Sequence, residues 1–158
     1  LNEEEITLAM PLARLTHLIS EKGMEELRFS KKQQHRCKVL RKWKSKNDGH
    51  LFETLSELER LKLHQELETD LPALIIELPS NKQTQWLERW RNDKDPLFHP
   101  KNPLNGHTIK EALNIDSGVK LGLLMDHLCQ ENAFGRLKNQ EEALQAANHW
   151  LTQNNTLL

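Results

Sequence analysis

The fold of this chain is decided by residues 103–151, which read PLNGHTIKEALNIDSGVKLGLLMDHLCQENAFGRLKNQEEALQAANHWL. Asn105, Ser117 and Asn139 each precede a helical run, and their side-chain oxygens can accept an amide hydrogen that no helical carbonyl reaches. Apolar residues recur at helical spacing in the three runs, as Ile109, Ala112 and Leu113, as Val119, Leu121, Leu124, Met125 and Leu128, and as Ala143, Leu144, Ala147, Trp150 and Leu151. The stretch therefore predicts three short helices.

Two glycines lie one turn apart near the start of the middle helix. Gly118 and Gly122 would let a packed helix or a ligand's phosphate approach the backbone closely. Gly135 follows the same helix and predicts its C-terminal stop. Because a helix N-terminus carries unpaired amide hydrogens and a partial positive charge, we predict Gly118 and the neighbouring Lys120 as a phosphate contact.

The same stretch resembles the C-terminal tail of the class II tRNA nucleotidyltransferase and poly(A) polymerase family, the template-independent enzymes that include the CCA-adding enzymes. The residues that carry the resemblance are Pro-Leu-Asn-Gly at 103–106, Leu113, Gly-Val-Lys-Leu-Gly at 118–122, Leu-Leu at 123–124, Gly135 and Glu-Glu-Ala-Leu at 141–144. An earlier piece resembles the end of the helical body that precedes this tail, with Leu-Ala-Arg-Leu at 12–15 and Glu-Leu-Arg-Phe-Ser at 26–30. The chain departs from the family where His-Thr at 107–108 replaces a basic-acidic pair, and where Asp-Ser-Gly-Val at 116–119 replaces a Pro-Pro-Gly-Pro turn.

A linker is predicted at 94–103, which holds three prolines. It divides a helical body, roughly residues 1–93, from the tail, roughly residues 104–153, and we expect it to run extended between them. A turn signal, Asn-Asp-Gly at 47–49, interrupts the body. Because no second strand candidate exists to pair with the one apolar run that would suit a strand, the chain is predicted to be all-α.

The resemblance implies an RNA-binding region that positions tRNA or another RNA for nucleotide addition to its 3′ end. Catalysis in the family takes place on a sheet-based head, whose paired carboxylates hold two metal ions. The head's motif, a Gly-Ser pair followed by Asp-x-Asp, occurs nowhere in this chain, and Asp93 and Asp95 have the bare spacing only within the proline-rich linker. We therefore expect no catalytic residue, no metal site and no cofactor in this chain, and Mg²⁺ with ATP or CTP only for a parent that has the head.

Composition sets weaker limits on partners. A formal net charge of -1, with 37% apolar and 28% charged residues, gives no global attraction to nucleic acid or to an anionic membrane. No apolar run approaches the roughly 20 residues of a membrane span, and the acidic opening lacks the features of a signal peptide. Cys37 and Cys129 have no metal-ligand or redox spacing, which predicts reduced thiols. A cytoplasmic protein without a membrane partner is predicted.

A second candidate surface lies in the body, in a helix that begins after Ser30. This helix carries the densest positive charge of the chain, at Lys31, Lys32, His35, Arg36, Lys38, Arg41, Lys42, Lys44 and Lys46. Such cations can form an ordinary solvated face, or a ridge that follows a nucleic-acid backbone and releases counterions. Under the second interpretation the RNA contacts are Lys38, Arg41, Lys42 and Lys44. Because Trp43 is the only aromatic residue in the run, we expect contact with the backbone of folded RNA instead of base-specific readout.

A helical protein-interaction module with the same fold is the alternative. The near-zero net charge, the acidic helix at 53–68 and the departures in the tail favour it. An apolar groove or self-association would support this alternative, whereas salt-sensitive tRNA binding would support the RNA-binding region.

Overall fold

The computed structural model describes residues 1–46 and 54–154. Within those ranges the regular secondary structure is α-helical, with one short 3₁₀-helix and no β-strand, which confirms the all-α prediction. The chain divides into two compact units, Leu1–Asp93, here called the body, and Lys94–Leu158, here called the tail. None of the helices in the described ranges is long and apolar enough to cross a membrane. The turn predicted at 47–49 lies outside the described residues.

The described residues of the body form α1 (Glu3–Leu18), α2 (Glu21–Glu26), α3 (Lys31–Ser45), α4 (Glu57–Leu67), a 3₁₀-helix (Glu68–Asp70), α5 (Leu71–Ile75) and α6 (Ser80–Trp90). The side chains that cap four of these helices are Asn2, Ser20, Ser30 and Ser56. α1 packs against α3 and α5, and α3 also packs against α4. The largest fully buried side chains of this core are Met24, Leu40, Trp43, Leu63, Leu67, Leu71, Leu74 and Ile75.

An ion pair joins the two ends of the body. Arg91, which follows α6, donates from Nε and Nη2 to the two carboxylate oxygens of Glu5 in the first turn of α1, at 2.6 and 2.7 Å. The Glu5 residue is only 6% exposed, and the hydrogen bond from Arg91 lowers the pKa of its carboxyl group to about 2. The carboxylate therefore stays ionised in a site that is closed to most solvent.

The tail forms α7 (Gly106–Leu113), α8 (Val119–Ala133) and α9 (Gln140–Gln153). Its core is apolar and consists of Leu104, Ile109, Leu124, Leu128, Ala143, Ala147 and Leu151. The predicted caps at Asn105 and Asn139 are confirmed, because their Oδ1 atoms accept the amides of Thr108 and Glu142 at 2.8 Å each. Gly135 follows α8 with a φ of 72°, so the predicted stop is confirmed as well.

The cap predicted at Ser117 is wrong. Gly118 occupies the N-cap position of α8, and no side chain forms a cap hydrogen bond there. With a φ of 155° and a ψ of -167°, Gly118 turns the backbone before the helix starts, which leaves Ser117 one residue outside it. The Ser117 hydroxyl instead lies 3.3 Å from the Lys110 ammonium.

The segment 94–103 is not extended as predicted, because its centre folds into turns. The Asp95 carboxylate accepts the amides of Leu97 and Phe98 at 3.1 and 3.0 Å, and its carbonyl accepts the amide of His99 at 2.9 Å. Leu97 and Phe98 are buried. Proline restricts the chain but does not keep it straight, and an aspartate that bonds the next amides favours a turn.

Candidate nucleic-acid interface

The basic helix of the body, α3, begins with a reciprocal cap. The Ser30 hydroxyl accepts the amide of Gln33, and the Gln33 side-chain oxygen accepts the amide of Ser30, each at 3.2 Å. One side of α3 packs into the body through Cys37, Leu40 and Trp43. The cations of this helix are therefore distributed around the remaining surface.

Four cations in α3 or directly after it pair with acidic residues from other parts of the body. The pairs are Arg36–Asp70, Lys42–Glu66, Lys44–Glu77 and Lys46–Glu59, with N–O distances between 2.5 and 3.0 Å. Hydrogen bonds from Lys46 and Ser56 lower the pKa of the Glu59 carboxyl to about 2, and the bond to Asp70 raises the pKa of Arg36. Much of the dense positive charge seen in the sequence is thus neutralised within the body.

Trp43 is engaged in the same network. Its indole N–H donates to a Glu66 carboxylate oxygen at 2.9 Å, and the ammonium groups of Lys42 and Lys46 lie 4.9 and 5.2 Å from its ring centroid. The residue is 1% exposed. An unpaired base therefore has no face of Trp43 to stack on.

Arg41, one of the four predicted contacts, has a structural role in the body. Its guanidinium donates to the carbonyl oxygen of Thr16 at 3.2 and 3.3 Å and to the carbonyl oxygen of Ile19. These carbonyls lie at the C-terminal end of α1, where oxygens lack helical donors and a cation is favourable. The geometry therefore gives no support to Arg41 as an RNA contact.

Lys38 differs from the other predicted contacts. It is exposed, and its ammonium has no acceptor among the described residues. The same holds for Arg28, Lys31 and Lys32, which lie just before α3 and in its first turn. Lys31 and Lys38 line one groove between α2 and α3, of about 230 Å³, which is also lined by Glu21, Met24, Glu25, Gln34 and His35. We call Lys31, Lys32 and Lys38 the unpaired row.

The predicted tail contacts lie at the start of α8. Gly118 adopts a backbone conformation that L side chains rarely reach, yet a Cβ there would meet no atom within 4 Å. Gly118 is therefore required because of its backbone conformation, and not because a side chain would clash with a neighbour. The surface next to it is open to solvent. Lys120 is half-buried in the first turn. Gly122 is also open, so no part of the described chain packs closely against the glycine pair.

Lys110 is a residue of this surface that the sequence did not single out. It lies on α7, and its ammonium reaches the hydroxyl of Ser117 directly before Gly118. The chain returns toward α8 because Asn114 ends α7 in the left-handed conformation, with φ of 50° and ψ of 51°. Asparagine adopts that conformation more readily than most residues, so Asn114 could have indicated a turn after α7. It could not have indicated that the turn brings Lys110 close to Ser117.

We also searched the described residues for a metal site and for reactive cysteines. They contain no group of three or more histidine, cysteine, aspartate or glutamate side chains that could hold a metal ion. Neither Cys37 nor Cys129 forms a disulfide within the described residues, and both are buried.

Comparisons of the chain with protein-family models, with curated proteins and with solved structures returned no match. The family therefore remains a prediction from the residues of the tail.

Proposed function

We propose that this chain is the RNA-binding C-terminal region of a tRNA nucleotidyltransferase or poly(A) polymerase family protein of the cytoplasm. In this proposal it positions tRNA while a separate head adds nucleotides to the 3′ end. The body and tail supply binding surface only, and Mg²⁺ with ATP or CTP belongs to the head. Purified chain should then transfer no nucleotide from ATP or CTP to tRNA in the presence of Mg²⁺.

The observation that supports this most is the presence of two lysines near the start of α8. Lys110 from α7 reaches Ser117 beside a helix N-terminus that no side chain caps, Lys120 lies in the first turn of that helix, and Gly118 leaves the backbone open. Phosphate groups are bound by such combinations of ammonium groups and backbone amides. These residues also belong to, or adjoin, the segment that carries the family resemblance.

The test is a titration of a tRNA transcript that lacks its 3′ CCA with the full chain at low salt. We expect Lys110→Gln/Lys120→Gln to weaken the affinity about tenfold, because two phosphate contacts are lost. The matched control is Lys101→Gln/Lys138→Gln, which removes the same charge near the opposite end of α8, roughly 22 Å away for a helix of this length. Lack of tRNA binding by the parent chain, or equal losses in the two variants, would contradict the proposal.

The alternative, a protein-interaction module, is favoured by one feature of the body. α1 and α3 enclose a groove of about 270 Å³ lined by Thr7, Leu8, Pro11, Leu12, Leu15, Gln33 and Arg36. Leu8 in this groove is 42% exposed, and Ile6 nearby is 44% exposed. Self-association in analytical ultracentrifugation that is abolished by Leu8→Lys, in a chain that does not bind tRNA, would favour this alternative.

A further inference from the structure

We infer that the body meets the RNA backbone through the unpaired row, Lys31, Lys32 and Lys38, and that Arg41, Lys42 and Lys44 are not the contacts. The inference rests on the proposed function, since it names the second surface on which the same RNA would lie. It assigns Lys31 and Lys32 for the first time, and it retains only Lys38 of the four residues that the basic run had suggested.

The lysines of α3 differ in whether an acidic side chain already neutralises them. A phosphate that approaches Lys42 or Lys44 also approaches Glu66 or Glu77, whose carboxylates lie 2.7 and 2.6 Å from those ammonium groups. Binding would replace the glutamate carboxylate by a phosphate as the partner of the lysine. The displaced carboxylate would remain next to the phosphate and repel it. Counterion release requires that the protein's cations neutralise phosphates, so the paired residues contribute little. Lys31, Lys32 and Lys38 have no acid to displace within the described chain.

Two lysines of the unpaired row lie at the N-terminus of α3. The first turn of α3 contains Lys31 and Lys32 and no acidic residue, and α5, α6, α7 and α8 likewise lack an acid there. A cation near a helix N-terminus opposes the helix dipole, so this arrangement disfavours folding. The partial positive charge of the helix N-terminus and the charges of the two lysines lie together, and both attract an anion.

The surroundings of the unpaired row suit an extended polyanion better than a small anion. Glu21 and Glu25 line the same groove as Lys31 and Lys38, so a single small anion in the groove would meet two carboxylates. Lys31 and Lys38 are seven residues apart, which places them roughly 10 Å apart along the helix axis. Phosphates spaced along an RNA strand can contact these ammonium groups from the solvent side and avoid the glutamates.

The experiment compares three variants of the full chain in the tRNA titration, repeated over a range of salt concentrations. Lys31→Gln/Lys32→Gln/Lys38→Gln should weaken binding about tenfold and reduce the slope of log K against log salt by about 2 to 3. The matched control, Lys42→Gln/Lys44→Gln/Lys46→Gln, removes the same charge from three lysines that have acidic partners. Its affinity should change by less than about threefold, with the slope unchanged. Glu21→Gln/Glu25→Gln should strengthen binding.

Circular dichroism would check that each variant is folded, and Lys38→Gln alone, an exposed position without a partner, serves if the triple variant unfolds. Equal losses in the two lysine variants would show that only net charge matters and would overturn the inference. Unchanged binding of the unpaired-row variant, together with a loss in Lys110→Gln/Lys120→Gln, would also overturn it and leave the proposed function in place. A parent chain that binds no tRNA would instead refute the proposed function itself.

Discussion

Several ion pairs of the body join segments that are far apart in sequence, whereas two ion pairs of the described tail join near neighbours. Arg91 reaches Glu5 and Arg36 reaches Asp70 in the body. In the tail, the pairs Arg136–Glu131 and His107–Glu111 span five and four residues. The tail is held instead by its apolar core and by asparagine caps. The body therefore uses its charges for tertiary structure, and stability should respond to different perturbations in the two units.

The ion pairs of the body also affect how the near-zero net charge should be interpreted. The near balance of 22 basic and 23 acidic residues suggests a chain without affinity for polyanions. Four acids of the body pair with Arg36, Lys42, Lys44 and Lys46, whereas the unpaired row has no acidic partner among the described residues. Available charge, and not total charge, decides whether RNA can bind.

The largest effect is expected in the tail core. Leu128 is fully buried in α8, so Leu128→Ala should reduce the free energy of unfolding by about 2 to 5 kcal/mol, from lost burial and the cavity that remains. Leu123 on the same helix is 45% exposed, and Leu123→Ala is the matched control. Urea unfolding followed by circular dichroism measures both. Similar losses for the two variants would mean that the tail does not depend on this core.

The next effect concerns the ion pair of the body. Glu5→Gln should reduce the free energy of unfolding by about 1 to 3 kcal/mol at pH 7, since hydrogen bonds between charged groups contribute about that much. Glu4→Gln removes a neighbouring exposed carboxylate from the same helix turn and controls for the helix dipole. A loss no larger than that of Glu4→Gln would show that the Arg91 pair does not stabilise the body.

The same pair predicts acid sensitivity. The folded pKa of Glu5, about 2, lies below its ordinary value of 4.5, so its contribution is fully present above pH 4.5 and is lost as the pH falls toward 2. Between those values Glu5→Gln should lose less stability than the parent does. Denaturation curves recorded at intervals across this range would test the prediction, and parallel pH profiles would refute it.

The smallest effects are expected at the glycine pair of α8. Gly118→Ala should cost about 1 to 2 kcal/mol, because the φ of 155° is strained for alanine. Gly122→Ala should instead stabilise by about 0.5 to 1 kcal/mol, because it lies within the helix and a Cβ there meets nothing within 4 Å. Thermal unfolding of the two variants should shift in opposite directions, and a shift in the same direction would contradict the described start of α8.

Local rules of the sequence predicted much of the fold and less of the candidate site. Asn105 and Asn139 were identified because a cap bonds an amide only three residues away. The cap predicted at Ser117 was wrong because Gly118 is the N-cap residue, which leaves Ser117 one position outside the helix. The preference for serine at N-caps does not predict the conformation of the glycine that follows. In the site, Lys38 was predicted and is open, whereas Arg41 was predicted and bonds the end of α1.

The helices and the polarity of their faces follow from residues a few positions apart, because helical hydrogen bonds and side-chain caps operate over three or four residues. The pairing of Lys42 with Glu66 and the approach of Lys110 to Ser117 depend on how separate segments pack. Each lysine of α3 has the same chemistry in the sequence, and a long flexible side chain reaches whatever acid the packing brings near. Only the tertiary structure could therefore separate the cations that hold the body together from those that remain open to a partner.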